Sequence, residues 1–137
     1  MRDILFRGKR LDNGEWVCGY YVELKYDGGK LGKCGFIYPC TETDYISVAV
    51  DPKTIGQYTG LTDKNGKKIF ENDIVEYDET KGTFYQIIWI QSGWGSREID
   101  TNLCELFPPI HTDNPTYFDN AKIVGNVHDN PELLEVG

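Results

Sequence analysis

The groups in this chain with chemistry to offer are its cysteines, histidines and carboxylates. The cysteines are Cys18, Cys34, Cys40 and Cys104. A zinc site takes its thiolates from closely spaced pairs, because one tight turn must bring both sulfurs onto a tetrahedral ion. Cys34 and Cys40, the nearest two, are separated by five residues with Pro39 among them. The spacing therefore predicts small, reduced thiols and no metal site. The histidines are His111 and His128. Nucleophilic catalysis would need a serine or cysteine activated by a base beside it, and no serine stands in a Gly-x-Ser-x-Gly turn. His128, next to Asp129, reads either as a side chain bonded to a local carbonyl or as a binding-site imidazole. Acidic residues number 22, so pairs of them carry little information. Asp63, Asp73, Asp78 and Glu79 fall where turns are expected, and aspartate in a turn accepts backbone amides. Asp73 is expected to take the amides of the turn that precedes Ile74.

The elements that position these groups read as short strands. Residues 4–6 form a first strand, and Asp12-Asn13-Gly14 turns the chain. Trp16, Cys18, Tyr20, Val22 and Leu24 then share one face of a second strand at period two. A glycine-rich loop follows over 26–33. Gly35–Tyr38 and Tyr45–Val50 are further strands, and Thr54–Tyr58 is another, ended by Gly60. A hairpin turns at Asp63-Lys64-Asn65-Gly66, where Asn-Gly supplies positive φ angles. A second turn at Glu71-Asn72-Asp73 leads into Ile74–Tyr77, which is expected to pair with Thr83–Gln91. Gly93-Trp94-Gly95 reads as a loop whose tryptophan is either an exposed anchor for a partner or a ring folded back over the end of the barrel. Thr101–Phe107 is expected to be a helical turn or two, stopped by Pro108-Pro109, and His111–Pro115 to be irregular. Ala121–Val127 is the last strand. Asp129 or Asn130 caps a final helical turn with Pro131 at its first position.

Composition bounds the rest. Aromatics make up 13% of the chain, a bias that suits half-buried, pleated surfaces. Strands every few residues with glycine turns predict a mainly β fold, a small barrel or sandwich of short antiparallel strands with one or two helical turns. The length fits a single domain over residues 1–137, or two small sub-barrels at about 1–60 and 61–137. With 22 acids against 14 bases the formal charge is −8, which argues against general binding to nucleic acid, since duplex affinity comes largely from lysine and arginine. Arg7, Lys9 and Arg10 are the one basic cluster and read as a solvated face. No apolar run is long enough for a membrane span and no signal segment opens the chain, so a cytoplasmic protein is expected.

Three motifs carry a family resemblance. Ile4–Arg10 with Gly14-Glu15-Trp16-Val17 opens it, Asp51–Val75 is its most specific part, and Ile123–Leu134 closes it. Together they resemble the YopX family, small proteins encoded largely by bacteriophages and prophages. One departure stands at Asn72, where the family usually has glycine; asparagine is the next-best residue for a left-handed turn. The resemblance implies a β fold of phage type and no particular activity. The expected function is a non-enzymatic interaction module, without cofactor, that binds itself as a homo-oligomer or binds a host or phage protein. The alternative is an accessory nucleic-acid-binding protein that stacks single strands on Tyr58, Tyr77, Tyr85 and Trp89. The expected interaction surface is Tyr58, Asp73, Asn126 and His128, with Trp94 at its periphery, because strand ends and their loops are where β scaffolds present binding groups.

Overall fold

The computed structural model describes residues 4–25, 33–39, 47–90, 93–99, 101, 104–106 and 120–134. Among the described residues the chain is mainly β, with eleven strands and three 3-10 turns. The strands are β1 (Phe6–Lys9), β2 (Trp16–Lys25), β3 (Lys33–Pro39), β4 (Val48–Val50), β5 (Gly56–Thr62), β6 (Lys68–Phe70), β7 (Asp73–Tyr77), β8 (Phe84–Ile90), β9 (Gly93–Glu98), β10 (Cys104–Leu106) and β11 (Ala121–Asn126). They form two sheets, ordered β4-β3-β2-β1-β5-β6 and β10-β9-β8-β7-β11. Every described strand pairing with a resolved register is antiparallel. The chain divides into two compact units, Met1–Tyr58 and Thr59–Gly137, with the boundary inside β5.

In the first unit, the β1–β2 turn is set by Gly14 at φ 72 and by the Asn13 side chain, which accepts the Glu15 amide at 2.9 Å. The inward face of the sheet holds Ile37 and Val50, both fully buried. Opposite them stand glycines: a Cβ on Gly8 would lie 2.7 Å from Ile55 Cδ1, and one on Gly35 would lie 2.8 Å from the Tyr21 ring. These small positions let the sheet bend. The bend brings β4 back to the end of β1, where Arg10 bridges Val50 and the Asp51 amide donates to Lys9 O at 2.8 Å. A single bridge is not a ladder, so neither sheet is a closed barrel among the described residues. The 3-10 turn Pro52–Thr54 is capped by Asp51, and the Thr54 hydroxyl fastens it to β1 by accepting the Lys9 amide at 2.8 Å.

In the second unit, Leu61, Ile69, Val75, Ile87 and Ala121 form the buried core, with Tyr77, Tyr85, Trp94 and Ile123 packed against it. Alternation puts Val75 opposite both Tyr85 and Ile123, and Ile87 opposite Ser96, so one sheet face supplies most of this cluster. The other face carries Gly125, where a Cβ would meet Asn130 Oδ1 at 2.5 Å and Leu133 Cδ1 at 3.1 Å. Its bare backbone is what admits the C-terminal 3-10 turn Pro131–Leu134.

Three local expectations are corrected. Gly60 does not end the strand: β5 runs through it at φ 89, while the Thr59 hydroxyl donates to Ile69 O and accepts the Leu61 amide. Residues 104–106 are not helical but form β10, drawn into the sheet by pairing with β9 from Cys104↔Arg97 to Leu106↔Gly95. Gly93-Trp94-Gly95 is not a loop but the start of β9, paired with β8. The tip of the glycine-rich loop, Cys40, Tyr45, Ile46, His111 and residues 107–119 lie outside the described residues, as does the side chain of Cys34.

Candidate functional site

The strand ends of the second unit gather most of the polar groups singled out above. At one corner Asp73 opens β7 and Asn126 closes β11, and the two are ladder partners. Asp73 is 1% exposed, and its Oδ2 accepts the Phe70 amide at 2.8 Å. This closes the turn ahead of Ile74, as its position in the sequence implies. Asn72, beside it, sits at φ 71, the left-handed conformation that asparagine tolerates. Its amide donates to Ile87 O and its carbonyl accepts from Val127. The turn is thus fixed to β8 on one side and to the end of β11 on the other.

Asn126 organises the next turn. Its Oδ1 accepts the amides of His128 at 3.0 Å and Asp129 at 2.9 Å, and its Nδ2 donates to Asp129 Oδ2 at 3.1 Å. Asn130 replies from below, its Oδ1 accepting the Asn126 amide and its own amide donating to Asn126 O. The Leu133 amide then bonds to Asn130 O, so Asn130 starts the final 3-10 turn ahead of Pro131, as helix-start chemistry predicts. His128 is half-buried and Asp129 exposed on this rigid loop.

A third polar line runs from the same corner across the sheet. Gln86 Nε2 donates to Asn72 Oδ1 at 3.1 Å, and Arg97 donates to Gln86 Oε1 from Nε at 3.1 Å and from a terminal nitrogen at 2.6 Å. Sequence reasoning missed this Arg97–Gln86–Asn72 chain. Its only sequence signal is that Gln86 and Arg97 are polar within strand-like runs, and their facing register is not visible in the sequence.

Asp63 builds the opposite end of β11. It is 5% exposed. Its Oδ1 accepts the amides of Asn65 and Lys67, each at 2.9 Å, and its Oδ2 accepts the Ile123 amide at 3.1 Å. Lys64 adds a backbone bond to Ala121 O at 2.9 Å and an ion pair to Asp78 at 2.9 Å. That pairing holds the Asp78 carboxyl below the ordinary carboxylate range, mainly through the hydrogen bond from Lys64.

Of the five expected contact residues, Asp73, Asn126 and His128 therefore come together. Trp94 does not join them. It faces Trp89 across β8–β9 in an edge-to-face pair with ring centres 4.9 Å apart, and it packs against the core. Trp89 is the exposed member, at 52%. Tyr58 belongs to the first unit, half-buried in β5, with its amide donating to Leu5 O at 2.7 Å. Of the aromatics expected to stack on single strands, Tyr77 and Tyr85 instead pack edge-to-face on each other, centres 5.1 Å apart. Cys18 and Cys104 form no disulfide. Among the described residues no three His, Cys, Asp or Glu side chains are grouped to hold a metal, and no helix is long and apolar enough to cross a membrane.

Two antiparallel sheets with turns locked by buried carboxylates and amides define a small, mainly β scaffold, and a family model identifies which. The model of the family described as YopX protein matches residues 5–135. The chain belongs to the YopX family. The crystal structure of protein EF1440 from Enterococcus faecalis is similar to it, at 25% identity and a TM-score of 0.59, over 98% of this chain and 100% of that one. No curated protein matches the chain.

Proposed function

We propose that the protein is a non-enzymatic interaction module encoded by a phage or prophage, acting in the cytoplasm of the bacterial host and binding itself or a host or phage protein. The observation that supports this reading is how the buried polar side chains are used. Asp63, Asp73 and Asn126, the groups catalysis would recruit, accept backbone amides. They hold loops rigid rather than facing a substrate. Rigid loops at strand ends are where a β scaffold presents binding groups. Here the presented group is Asp129 at the tip of the His128–Asp129 turn, exposed while the His128 Nε2 is buried behind it, with Asp73 and Asn126 as its supports. Trp89 takes the anchoring role expected of Trp94, which backs it, and Tyr58 is a separate candidate contact in the first unit.

Light scattering and pull-down from host lysate, run beside thermal melts, test the reading. Trp89→Ala should lose association while melting like the wild type. Asn126→Ala should melt early, losing about 1 kcal/mol or more. If every variant that loses association also melts early, these positions only hold the fold.

A further inference from the structure

We propose that the outer face of the sheet formed by β1 to β4 is a stacking platform for single-stranded nucleic acid. In that sheet Trp16, Tyr20 and Val22 point outward from β2, with Arg7 and Lys9 beside them on β1 and Tyr38 on β3. Tyr20 and Tyr38 are direct ladder partners, exposed at 60% and 42%, and Val22 is exposed at 40%. Large aromatic rings left in water on an ordered sheet are unusual enough to mark a binding surface. At one end the Arg7 guanidinium lies 4.6 Å from the centre of the Trp16 ring and the Lys9 ammonium 5.4 Å from it.

Charge selects the occupant. The chain has 22 acids and 14 bases, yet the outward positions of these four strands carry two bases and no acid. The face is thus a local exception to an acidic protein, matched to an anion. Geometry selects the kind of anion. Alternate residues of a strand stand about 6.7 Å apart, a spacing that suits the bases of a stretched single strand laid along β2. Tyr20 and Tyr38 offer faces on which bases stack whatever their sequence, and at the Trp16 end Lys9 and the terminal nitrogens of Arg7, whose Nε is buried, take the phosphates. A duplex hides its base faces and could use only the two cations.

The test is fluorescence anisotropy of labelled oligothymidine, oligouridine and a duplex of equal length, with the full chain as titrant. Both single strands, or one of them, should bind more tightly than the duplex, and the DNA and RNA arms identify which. Tyr20→Ala and Tyr38→Ala should each weaken binding by about 5-fold or more, whereas Tyr20→Phe, which keeps the ring, should not. Two phosphate contacts give a slope of log affinity against log salt of about −1.4, and Lys9→Gln should reduce it by about 0.7. Circular dichroism checks that the variants fold, which is expected because the tyrosines are exposed. Three results would overturn the proposal: no binding of either single strand, a duplex bound as tightly, or binding indifferent to both tyrosine-to-alanine changes. A change in solution mass alone on Tyr20→Ala would likewise overturn it, assigning the face to a second copy of the chain.

Discussion

Asp63 is the residue whose removal should cost this protein most for its size. One carboxylate, 5% exposed, accepts three backbone amides, two from its own hairpin and one from Ile123 of β11. Truncation to alanine orphans all three donors. A buried donor left without a partner costs about 1–3 kcal/mol. Lys64, Asn65 and Gly66 are exposed, so water can reach the two hairpin amides, and each counts at the low end of that range. Ile123 lies within the β7–β11 ladder, and its amide counts near the middle. Asp63→Ala should therefore lose about 4 kcal/mol, a large share of the stability of a typical domain. Asp63→Asn is the sharper probe. Its carbonyl oxygen can keep the amides of Asn65 and Lys67, but its NH2 group then faces the Ile123 N–H, donor against donor. That variant should lose about 2 kcal/mol.

Urea and thermal melts followed by circular dichroism measure both. For a chain of this size the alanine variant should melt roughly 15 °C early and the asparagine variant roughly half as much. Amide exchange adds a local readout: Ile123 should lose protection in both variants, Asn65 and Lys67 mainly in Asp63→Ala. If the two variants are equally stable, or if Asp63→Ala falls within about 1 kcal/mol of the wild type, the carboxylate is not the clamp its geometry indicates.

Two further outcomes are expected. At Asn72, held at φ 71 and bonded to Gln86, alanine loses both the tolerated left-handed conformation and the side-chain acceptor and should cost about 2 kcal/mol, while glycine trades the bond for backbone freedom and should stay within about 0.5 kcal/mol in urea melts. For the exposed carboxyls of Asp12 and Asp78, the hydrogen bonds from Arg10 and Lys64 are the largest cause of their lowered pKa; a pKa lower folded than unfolded gives stability that is present above the ordinary carboxylate range and lost only as pH falls through the folded value. Melts at pH 7 and pH 5 should therefore show no loss traceable to these pairs, and their contribution should disappear only in more acid buffer, with Asp78→Asn flattening that part of the profile.

Much of the fold was legible because turn chemistry is local. The hairpin at Asn65-Gly66, where Gly66 alone takes a positive φ, the left-handed Asn72 and the Asn130-Pro131 start each follow from the conformations a residue type permits. Long-range pairing was less legible. Gly93-Trp94-Gly95 reads as a loop because glycine disfavours strands, yet Gly93 and Gly95 stand opposite Ile90 and Ile88 in a full ladder. Cys104–Leu106 has too little pattern of its own, and the neighbouring edge of β9 decided its state. The corner built by Asp73 and Asn126 was half legible. Their turn-forming roles follow from their types, but that they are ladder partners depends on a register interrupted between Ile123 and Gly125.

The outward stripe on β2 shows most clearly where pattern fails. Trp16, Cys18, Tyr20 and Val22 are a stronger period-two apolar set than Val17, Gly19, Tyr21 and Glu23 between them, and pattern alone sends such a set to the core. The structure turns it outward. The reason lies in the bend that brings Arg10 to Val50. On the inward side two positions have no room: a side chain on Gly19 would run into the Tyr38 backbone, and one on Gly8 into Ile55 and Val50. Small residues stand at these inner positions, with Ile37 and Val50 buried on the same face and the Phe6 and Tyr21 rings paired there at 5.7 Å. Geometry explains why Gly8 and Gly19 are small. It does not explain why the outer positions are large and aromatic, since lysine, threonine or glutamate would serve a solvated strand as well. A local rule broken without a structural need marks a place where something other than folding sets the residue type, and in this unit that place is the face around Tyr20 and Tyr38.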